Sequence, residues 1–576
     1  MTPFSIELLD FDRSSVEQWA ELNPRHRNCP VVYVIDGPGS GTGAVYIGET
    51  INAAARMKQH LDGPKRALGL KDVRVVVDDE FNKSVCLDLE SHLIRWFAGD
   101  GIRSVLNGNE GITDAQYYRR DRYRSSFRAI FDELYARGLF TRSITQIENS
   151  DLFKLSPFKA LTETQAVAVE QILESLVADL DDPERVSRSV VEGEPGTGKT
   201  VVAIYLMKLI ADIGDSTDSD TDPDGRFSEF FATGYRELFT DIRMGLVIPQ
   251  QSLRESVRRV FKKTPKLHER MVLSPWDVAD AGDRFDLLLV DEAHRLNQRA
   301  SQGSGPMNTK FAAVNERLFG ADDVRYTQLD WISARSRHQV LLMDAEQSVR
   351  PADLPHETVT AILREAGREH RRFRLMSQMR VKAGADYVGF VRRLLRSESV
   401  TLPDLGEYDL RFFDDVGAMR REIRRMDSEH GLARMVAGYA WKWRSKKDKD
   451  AFDIELDGEQ MRWNSVPTDW ISAPGSIDEV GSIHTVQGYD LNYAGVIIGP
   501  DLRRNPVTGE IHIDRASYQD RKGKENNGYS KKKYTDDELL TYIRNIYGVL
   551  LTRGIRGTFV YVCDPSLREW MRQRLA

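Results

Sequence analysis

The chain has 576 residues, 41% of them hydrophobic and 29% charged, and a formal net charge of −7. It is too long for a single core, which predicts about two to four domains, and no apolar run approaches the roughly 20 residues that cross a bilayer. Met1 to Asp12 lacks a basic-then-apolar leader, and Cys29, Cys86 and Cys563 have neither disulfide nor zinc spacing; a reducing cytoplasm and no membrane partner are therefore expected.

In chain order, residues 1–28 read as an N-terminal extension. Val31 to Ile35 and Ala44 to Gly48 read as two strands of a hairpin, joined by the Gly-rich stretch Asp36 to Gly43. A helix follows with Arg56 and His60 four residues apart, hence on one face. Val73 to Val77 is a further strand, Lys83 to Phe97 is a helix presenting Glu90, and the small domain closes near Asn107. Tyr117 to Arg124 interleaves tyrosines with arginines, which either grips a single strand by stacking and charge or forms an exposed charged helix. Arg119 to Arg128 holds five arginines, so the acidic average conceals local positive patches of the kind a nucleic-acid surface needs. Arg128 to Glu148 is helical and leads to a boundary at Ser156-Pro157.

Tyr33 in the first strand, Tyr46-Ile47-Gly48 in the second, then Arg56, His60, Glu90 and Asn107, in that order and spacing, resemble the GIY-YIG nuclease domain over about residues 29–110. The first motif departs from the family: it reads Val32-Tyr33-Val34, with the tyrosine kept and the glycine absent. Phosphodiester hydrolysis needs an activated water, a cation for the charge on phosphorus and a metal for the leaving oxygen. The resemblance implies Glu90 as the Mg²⁺ ligand and Arg56 as the clamp on the scissile phosphate. It implies Tyr33 or Tyr46 as the group that positions or deprotonates water, with Asn107 in support.

Further along, Ser189-Val190-Val191 reads as a buried strand and Val201 to Met207 as a helix. Between them, Gly193 to Thr200 fits the phosphate-loop pattern G-x-x-x-x-G-K-[ST] without mismatch. Gly193, Gly196 and Gly198, with Thr197, let backbone N–H groups surround phosphate oxygens at a helix N-terminus. Lys199 would reach the outer phosphates and Thr200 would hold Mg²⁺. Gln165 stands upstream, where it would read adenine. Ala211 to Arg226 is an acidic, disorder-prone insert, with five aspartates and no base between Asp215 and Asp224. Gly245 to Pro249 is the next strand. Phe285 to Val290 is another, ending in Asp291-Glu292-Ala293-His294: Asp291 would hold Mg²⁺ through water and Glu292 would orient the attacking water. Val340 to Met343 ends in Asp344, with Gln347 as a γ-phosphate sensor. Strands alternating with helices predict parallel sheets with ligands at their carboxyl ends.

Three later segments complete the series: Leu375 to Arg380, Ile483 to Asp490 before the strand Val496 to Ile498, and Val549 to Arg556 before the strand Thr558 to Val562. Together with the phosphate loop they resemble superfamily 1 helicases over about residues 156–576, and within them the helicase-like domain named after Schlafen proteins. The resemblance implies two RecA-like lobes with ATP between them. It implies Arg553 as the arginine finger, Arg380 as an earlier one and Arg556 as an addition. Asp490, after Gly488, stands where the family often has a ribose-binding Glu, and Gln487 where many members have Lys. The basic loop Arg521 to Lys533 either touches phosphates or is a disordered insertion.

The expected architecture is α/β. It comprises an extension over 1–28, a GIY-YIG-like nuclease domain over 29–128, a helical linker over 129–155, and two RecA-like lobes with parallel sheets over 156–375 and 376–576. The expected function is ATP- and Mg²⁺-dependent cleavage of DNA coupled to a helicase-like motor, suited to restriction or antiphage defence. Two alternatives stand beside it: an ATP-regulated nucleic-acid-binding switch or translocase with an inactive nuclease domain, and a nuclease directed at RNA. Oligomeric state is not read from the sequence.

Overall fold

The computed structural model describes residues 4–37, 43–63, 69–107, 117–158, 161–216, 226–302, 304–344, 347–375, 385–466, 470–486 and 490–575. The chain forms two compact units: Met1–Glu170 with Val201–Ile242 and Val257–Met271, and Gln171–Thr200 with Arg243–Ser256 and Val272–Ala576.

The first unit contains a five-stranded sheet of β1 (Phe4–Asp10), β2 (Val31–Asp36), β3 (Ala44–Thr50), β4 (Asp72–Asp78) and β5 (Ser104–Val105), in the order β1-β4-β2-β3-β5. All neighbours are antiparallel except β3 and β5. Strand β2 is buried along its whole length, and its β-branched run alternates between two cores. Val31, Tyr33 and Ile35 face Trp19, Met57 and Leu61, while Val32 and Val34 face Leu89, Leu93 and Phe97 of the helix Lys83–Asp100.

Two boundaries differ from the sequence expectation. Residues 1–28 are not an appendage: β1 pairs with β4 from Phe4↔Asp78 to Asp10↔Asp72, and the helix Arg13–Leu22 buries Val16 and Trp19. An edge strand needs only one apolar face, which made it faint in the sequence. Residues 129–155 are not a linker, because Ile130, Phe131, Leu134 and Ile147 enter the same core as β2. The Tyr117–Arg124 stretch is partly committed to this packing. Asp88 Oδ2 accepts from Tyr117 Oη at 2.8 Å and from Nε of buried Arg120 at 3.1 Å; Tyr118 is exposed.

The second unit carries two large sheets and a two-stranded one. The first comprises β6 (Ser187–Gly193), β7 (Met244–Val247), β8 (Val272–Leu273), β9 (Phe285–Val290), β10 (Ser336–Met343) and β11 (Arg372–Leu375), in the order β11-β6-β10-β9-β7-β8, all parallel. The chain continues through β12 (Asp409–Phe412), β13 (Ala433–Ala437), β14 (Ile454–Leu456), β15 (Glu459–Trp463), β16 (Glu479–Ser482), β17 (Leu491–Ile498), β18 (Leu502–Arg504), β19 (Ile511–Ile513) and β20 (Gly554–Val562). The second sheet runs β12-β20-β17-β13-β16-β15-β14 and is parallel except for the β14–β15 hairpin; β18 and β19 pair separately. Strands β13 and β17 are buried at every position, as a parallel sheet covered on both faces requires.

The basic loop Arg521 to Lys533 is anchored rather than a loose insertion. Asn527 Nδ2 donates to the Arg299 carbonyl at 3.1 Å, Lys522 Nζ to Ser301 Oγ at 2.9 Å, and the Arg299 guanidinium sits 3.8 Å over the Tyr529 ring. Residues 217–225 of the acidic insert lie outside the described residues.

Candidate nucleotide site and candidate nuclease centre

At the carboxyl end of β6 the backbone turns sharply. Gly196 and Gly198 adopt φ of 85° and 80°, a region that costs an L-residue with a Cβ. A Cβ on Gly193 would collide with Thr197 Oγ1, which instead donates to the Glu194 carbonyl at 2.9 Å. Buried Lys199 opens the helix Lys199–Gly214 and donates from Nζ to the carbonyls of Gly193 at 2.7 Å and Glu194 at 3.1 Å. The loop is thus a ring of backbone around a cation at a helix N-terminus, which suits a polyphosphate.

Two strands away, β9 delivers Asp291, fully buried, whose Oδ2 accepts from Thr200 Oγ1 at 2.6 Å. Burial pushes the Asp291 carboxyl up, and the neighbouring Glu292 charge adds to the shift. A hydroxyl and a buried carboxylate in contact fit Mg²⁺, which keeps several waters and takes few protein ligands. Among the described residues no group of three or more His, Cys, Asp or Glu forms a closed metal cage.

Glu292 itself has φ of 51°, a left-handed conformation that the strand end imposes on a side-chain-bearing residue. Its Oε2 lies 3.2 Å from Nε2 of fully buried His294. The other ring nitrogen, Nδ1, accepts the Asp344 backbone N–H at 3.2 Å, so the proton belongs on Nε2, facing Glu292. Burial opposes the Glu292 charge, but His294, then Lys199 and Arg295, outweigh it and hold the carboxyl far below its usual range. Asp344 Oδ2 accepts from Gln347 Nε2 at 2.8 Å and from Arg392 Nη2 at 3.4 Å, and Arg392 Nη1 donates to Glu194 Oε1 at 2.7 Å. Arg392 lies in the helix Ala385–Leu395. Pro195 and Gln347 line a cavity whose other wall includes Arg392, Arg396, Arg544 and Thr552.

Sequence reasoning assigned no role to His294, although it belongs to the Asp-Glu-Ala-His run, and passed over Arg392, one arginine among many on an amphipathic helix. Arg553 follows Thr552 and is buried. Arg556 lies in β20, where its charge acts on the Tyr493 hydroxyl. Asp490 is half-buried just before β17. Gln165 is buried near the start of the helix Glu163–Leu180 in the first unit, where its Oε1 accepts the Thr162 N–H at 3.0 Å. Arg380, Gln487 and Gly488 lie outside the described residues.

In the first unit, Tyr33 is completely buried and its Oη is 2.8 Å from His60 Nε2. The Tyr46 ring stands edge-on to His60, centroids 5.1 Å apart. Burial raises the Tyr33 hydroxyl pKa well above its usual value, Tyr46 and Glu90 add to the rise, and Arg56 opposes it. Burial also works against the Arg56 charge, but its contacts with the Tyr33 and Tyr46 hydroxyls raise its pKa overall. Gly48 is dictated by packing: a Cβ there would occupy the place of the Tyr33 hydroxyl. Asn107 clamps β3, accepting the Ile47 N–H at 3.2 Å and donating to the Ile47 carbonyl at 2.8 Å. Glu90 is buried on the helix Lys83–Asp100.

The Schlafen group 3 DNA/RNA helicase domain matches residues 187–564, more than half of the chain. The chain belongs to this family. The family match begins at β6 and extends past β20, so both parallel sheets lie within it, and it supplies a helicase-like ATPase fold of the superfamily 1 kind. The uncharacterized protein YPL245W of Saccharomyces cerevisiae is 26% identical over 402 residues, covering 66% of this chain and 82% of that protein. Among solved structures, the chain is similar to an arterivirus nonstructural protein 10 helicase in complex with DNA, at 13% identity and a TM-score of 0.29, covering 70% of this chain and 65% of that one. It is also similar to a Bacteroides Pif1 helicase with ADP-AlF3 and ssDNA, at 9% identity and a TM-score of 0.24, covering 69% of this chain and 93% of that one.

Proposed function

We propose that this Schlafen group 3 helicase-family protein hydrolyses ATP on the phosphate loop and couples it to Mg²⁺-dependent cleavage of DNA by its GIY-YIG-like N-terminal domain. Restriction of foreign DNA, including antiphage defence, is the biological role that pairing suggests. The observation that carries the reading is the 2.6 Å bond between Thr200 and Asp291 beside the phosphate loop, a hydroxyl and a carboxylate set where a metal–nucleotide complex needs them. Bound Mg²⁺–ATP supplies the scissile phosphoanhydride and the cation that offsets its charge. Lys199 orients the phosphates, and Glu292, itself held by His294, orients water. Gln347 and Arg392 join the phosphate loop to the second lobe, so lobe movement and chemistry share the same side chains.

In the nuclease, Arg56 would hold the phosphate and Glu90 would hold the metal. Tyr33 keeps its proton and orients water through His60, which leaves deprotonation to Tyr46 or a neighbouring group. RNA is the competing substrate, since the family covers DNA and RNA helicases. The deciding assay measures nicking of supercoiled DNA and of a matched RNA with Mg²⁺, with and without ATP, for wild type, Glu90→Ala and Lys199→Ala. Undiminished cleavage by Glu90→Ala would remove the nuclease assignment, and undiminished ATP hydrolysis by Lys199→Ala would remove the nucleotide site.

A further inference from the structure

Where β13 ends at Ala437, the chain enters a turn with no room for a side chain at Gly438, since a Cβ there would meet the Tyr547 hydroxyl. It then runs Tyr439-Ala440-Trp441-Lys442-Trp443-Arg444-Ser445-Lys446-Lys447-Asp448-Lys449-Asp450. Tyr439, Trp441 and Trp443 are half-buried, and Lys442, Arg444, Lys446, Lys447 and Lys449 are exposed. The segment is pinned. Ser445 N–H donates to Asp453 Oδ1 at 2.9 Å and Ser445 Oγ to Asp453 Oδ2 at 2.5 Å; the Tyr439 carbonyl accepts the Gln519 N–H at 2.8 Å. The Tyr439 ring stacks on Trp463 with centroids 5.5 Å apart.

Five cations therefore stand against two acids in a chain whose net charge is −7. Asp448 and Asp450 are exposed too, with Asp448 Oδ1 accepting the Asp450 N–H at 3.1 Å, so the segment keeps an excess of three positive charges. Among the described residues Arg444 reaches only Glu455, at 3.5 Å, and Lys442, Lys447 and Lys449 make no ion pair. Lys446 lies 5.6 Å over the Trp443 ring, so charge and an aromatic face are presented together. A fixed row of uncompensated cations repels itself and is relieved by a polyanion.

The row also stands in a working position. It leaves the carboxyl end of β13, between β16 and β17, which is where parallel α/β sheets take their ligands. The Tyr439 ring is 6.1 Å from that of His484, in the segment that follows β16.

We propose that residues 439–449 bind single-stranded nucleic acid, with Lys442, Arg444, Lys446, Lys447 and Lys449 on its phosphates and Trp443 against a base. An irregular loop has no helix or ribbon to place in a duplex groove, whereas alternating rings and cations track a flexible strand. This inference rests on the nucleic-acid motor read above and names one of its contact surfaces.

The test is equilibrium binding of a fluorescent 20-nucleotide strand, DNA and RNA in turn, and of the corresponding duplex, to the full chain across a salt series. The variant Lys442→Glu/Lys446→Glu/Lys447→Glu changes only exposed side chains, and its thermal midpoint reports its folding. We expect its single-strand affinity to fall tenfold or more, with a log–log salt slope shallower by about 2, because each lost phosphate contact removes roughly 0.7. A Trp443→Phe variant should keep most of the affinity and Trp443→Leu should lose it. Wild-type affinity and slope in the charge-reversal variant would overturn the assignment, as would a loss confined to the duplex. The underlying motor reading fails separately, in the wild type, if it retains no oligonucleotide of any kind.

Discussion

The assignment of His294 as the residue that positions Glu292 can be tested by dividing its two contacts, the hydrogen bond from the Asp344 N–H and the 3.2 Å approach to Glu292 Oε2, between two variants. Asparagine places an oxygen where Nδ1 stands but does not extend to Nε2. His294→Asn therefore keeps the acceptor for the Asp344 N–H, bonded at 3.2 Å, and removes the contact to Glu292, also at 3.2 Å. Glutamine does the reverse. A hydrogen bond to a charged group, which this contact becomes when the site tightens around bound nucleotide, is worth about 1.5–3 kcal/mol. If that loss falls on the transition state, kcat for ATP hydrolysis drops roughly 10- to 150-fold at about 1.4 kcal/mol per tenfold, with KM close to wild type because the phosphate-loop contacts are untouched. In His294→Gln the rate survives better, and the orphaned Asp344 N–H costs about 1–3 kcal/mol of stability. Steady-state phosphate release and thermal melting read the two effects. The reasoning is refuted if His294→Asn turns over at the wild-type rate, or if the two variants are indistinguishable.

Other expectations concern the first unit and the anchored loop. Gly48→Ala should displace the Tyr33 hydroxyl from His60 and cost about 1–3 kcal/mol by overpacking, so cleavage should fall with the melting midpoint; unchanged melting would mean the ring has another place to go. Asp88→Ala leaves buried Arg120 without its carboxylate and should destabilise by about 3 kcal/mol. Burial alone would raise the Asp88 pKa, but His92, Arg120 and Tyr117 hold the carboxyl far below the usual carboxylate range. The stabilisation is therefore present above about pH 4 and is lost as pH falls below that toward the folded value; urea melts of wild type should weaken over that acid range while those of the variant stay flatter. Tyr529→Ala removes the ring under the Arg299 guanidinium, a contact worth about 0.5–2 kcal/mol. Limited proteolysis should then cut within Arg521 to Lys533 sooner than in wild type, and an identical cleavage pattern would show that the hydrogen bonds of Asn527 and Lys522 suffice.

The parts of this protein that were legible in the sequence are those in which one short run fixes both backbone and chemistry. Gly193 to Thr200 dictates its own turn through glycines that must take positive φ, and Phe285 to Val290 is so apolar that Asp291 can only emerge at its end; both needed no knowledge of distant residues. Tyr33, Tyr46 and Arg56 were legible as a set through their order, but not the reason Gly48 accompanies them, which is the volume of a ring on the neighbouring strand. What stayed hidden depends on pairings far apart in the chain. Strand β1 is held by β4 more than sixty residues later, and a lone amphipathic edge strand carries no local mark of its partner. Arg392 is chemically no different from Arg393 beside it; only the fold brings it to Glu194 and Asp344. The same distinction bears on function. The residues that would bind phosphate are fixed by local geometry and can be read from sequence, whereas the residues that would make hydrolysis depend on lobe movement — Arg392, Gln347 and the His294 relay — acquire their meaning from contacts between elements. Variants at Lys199 therefore test whether the protein uses ATP, and variants at His294 and Arg392 test what it uses ATP for.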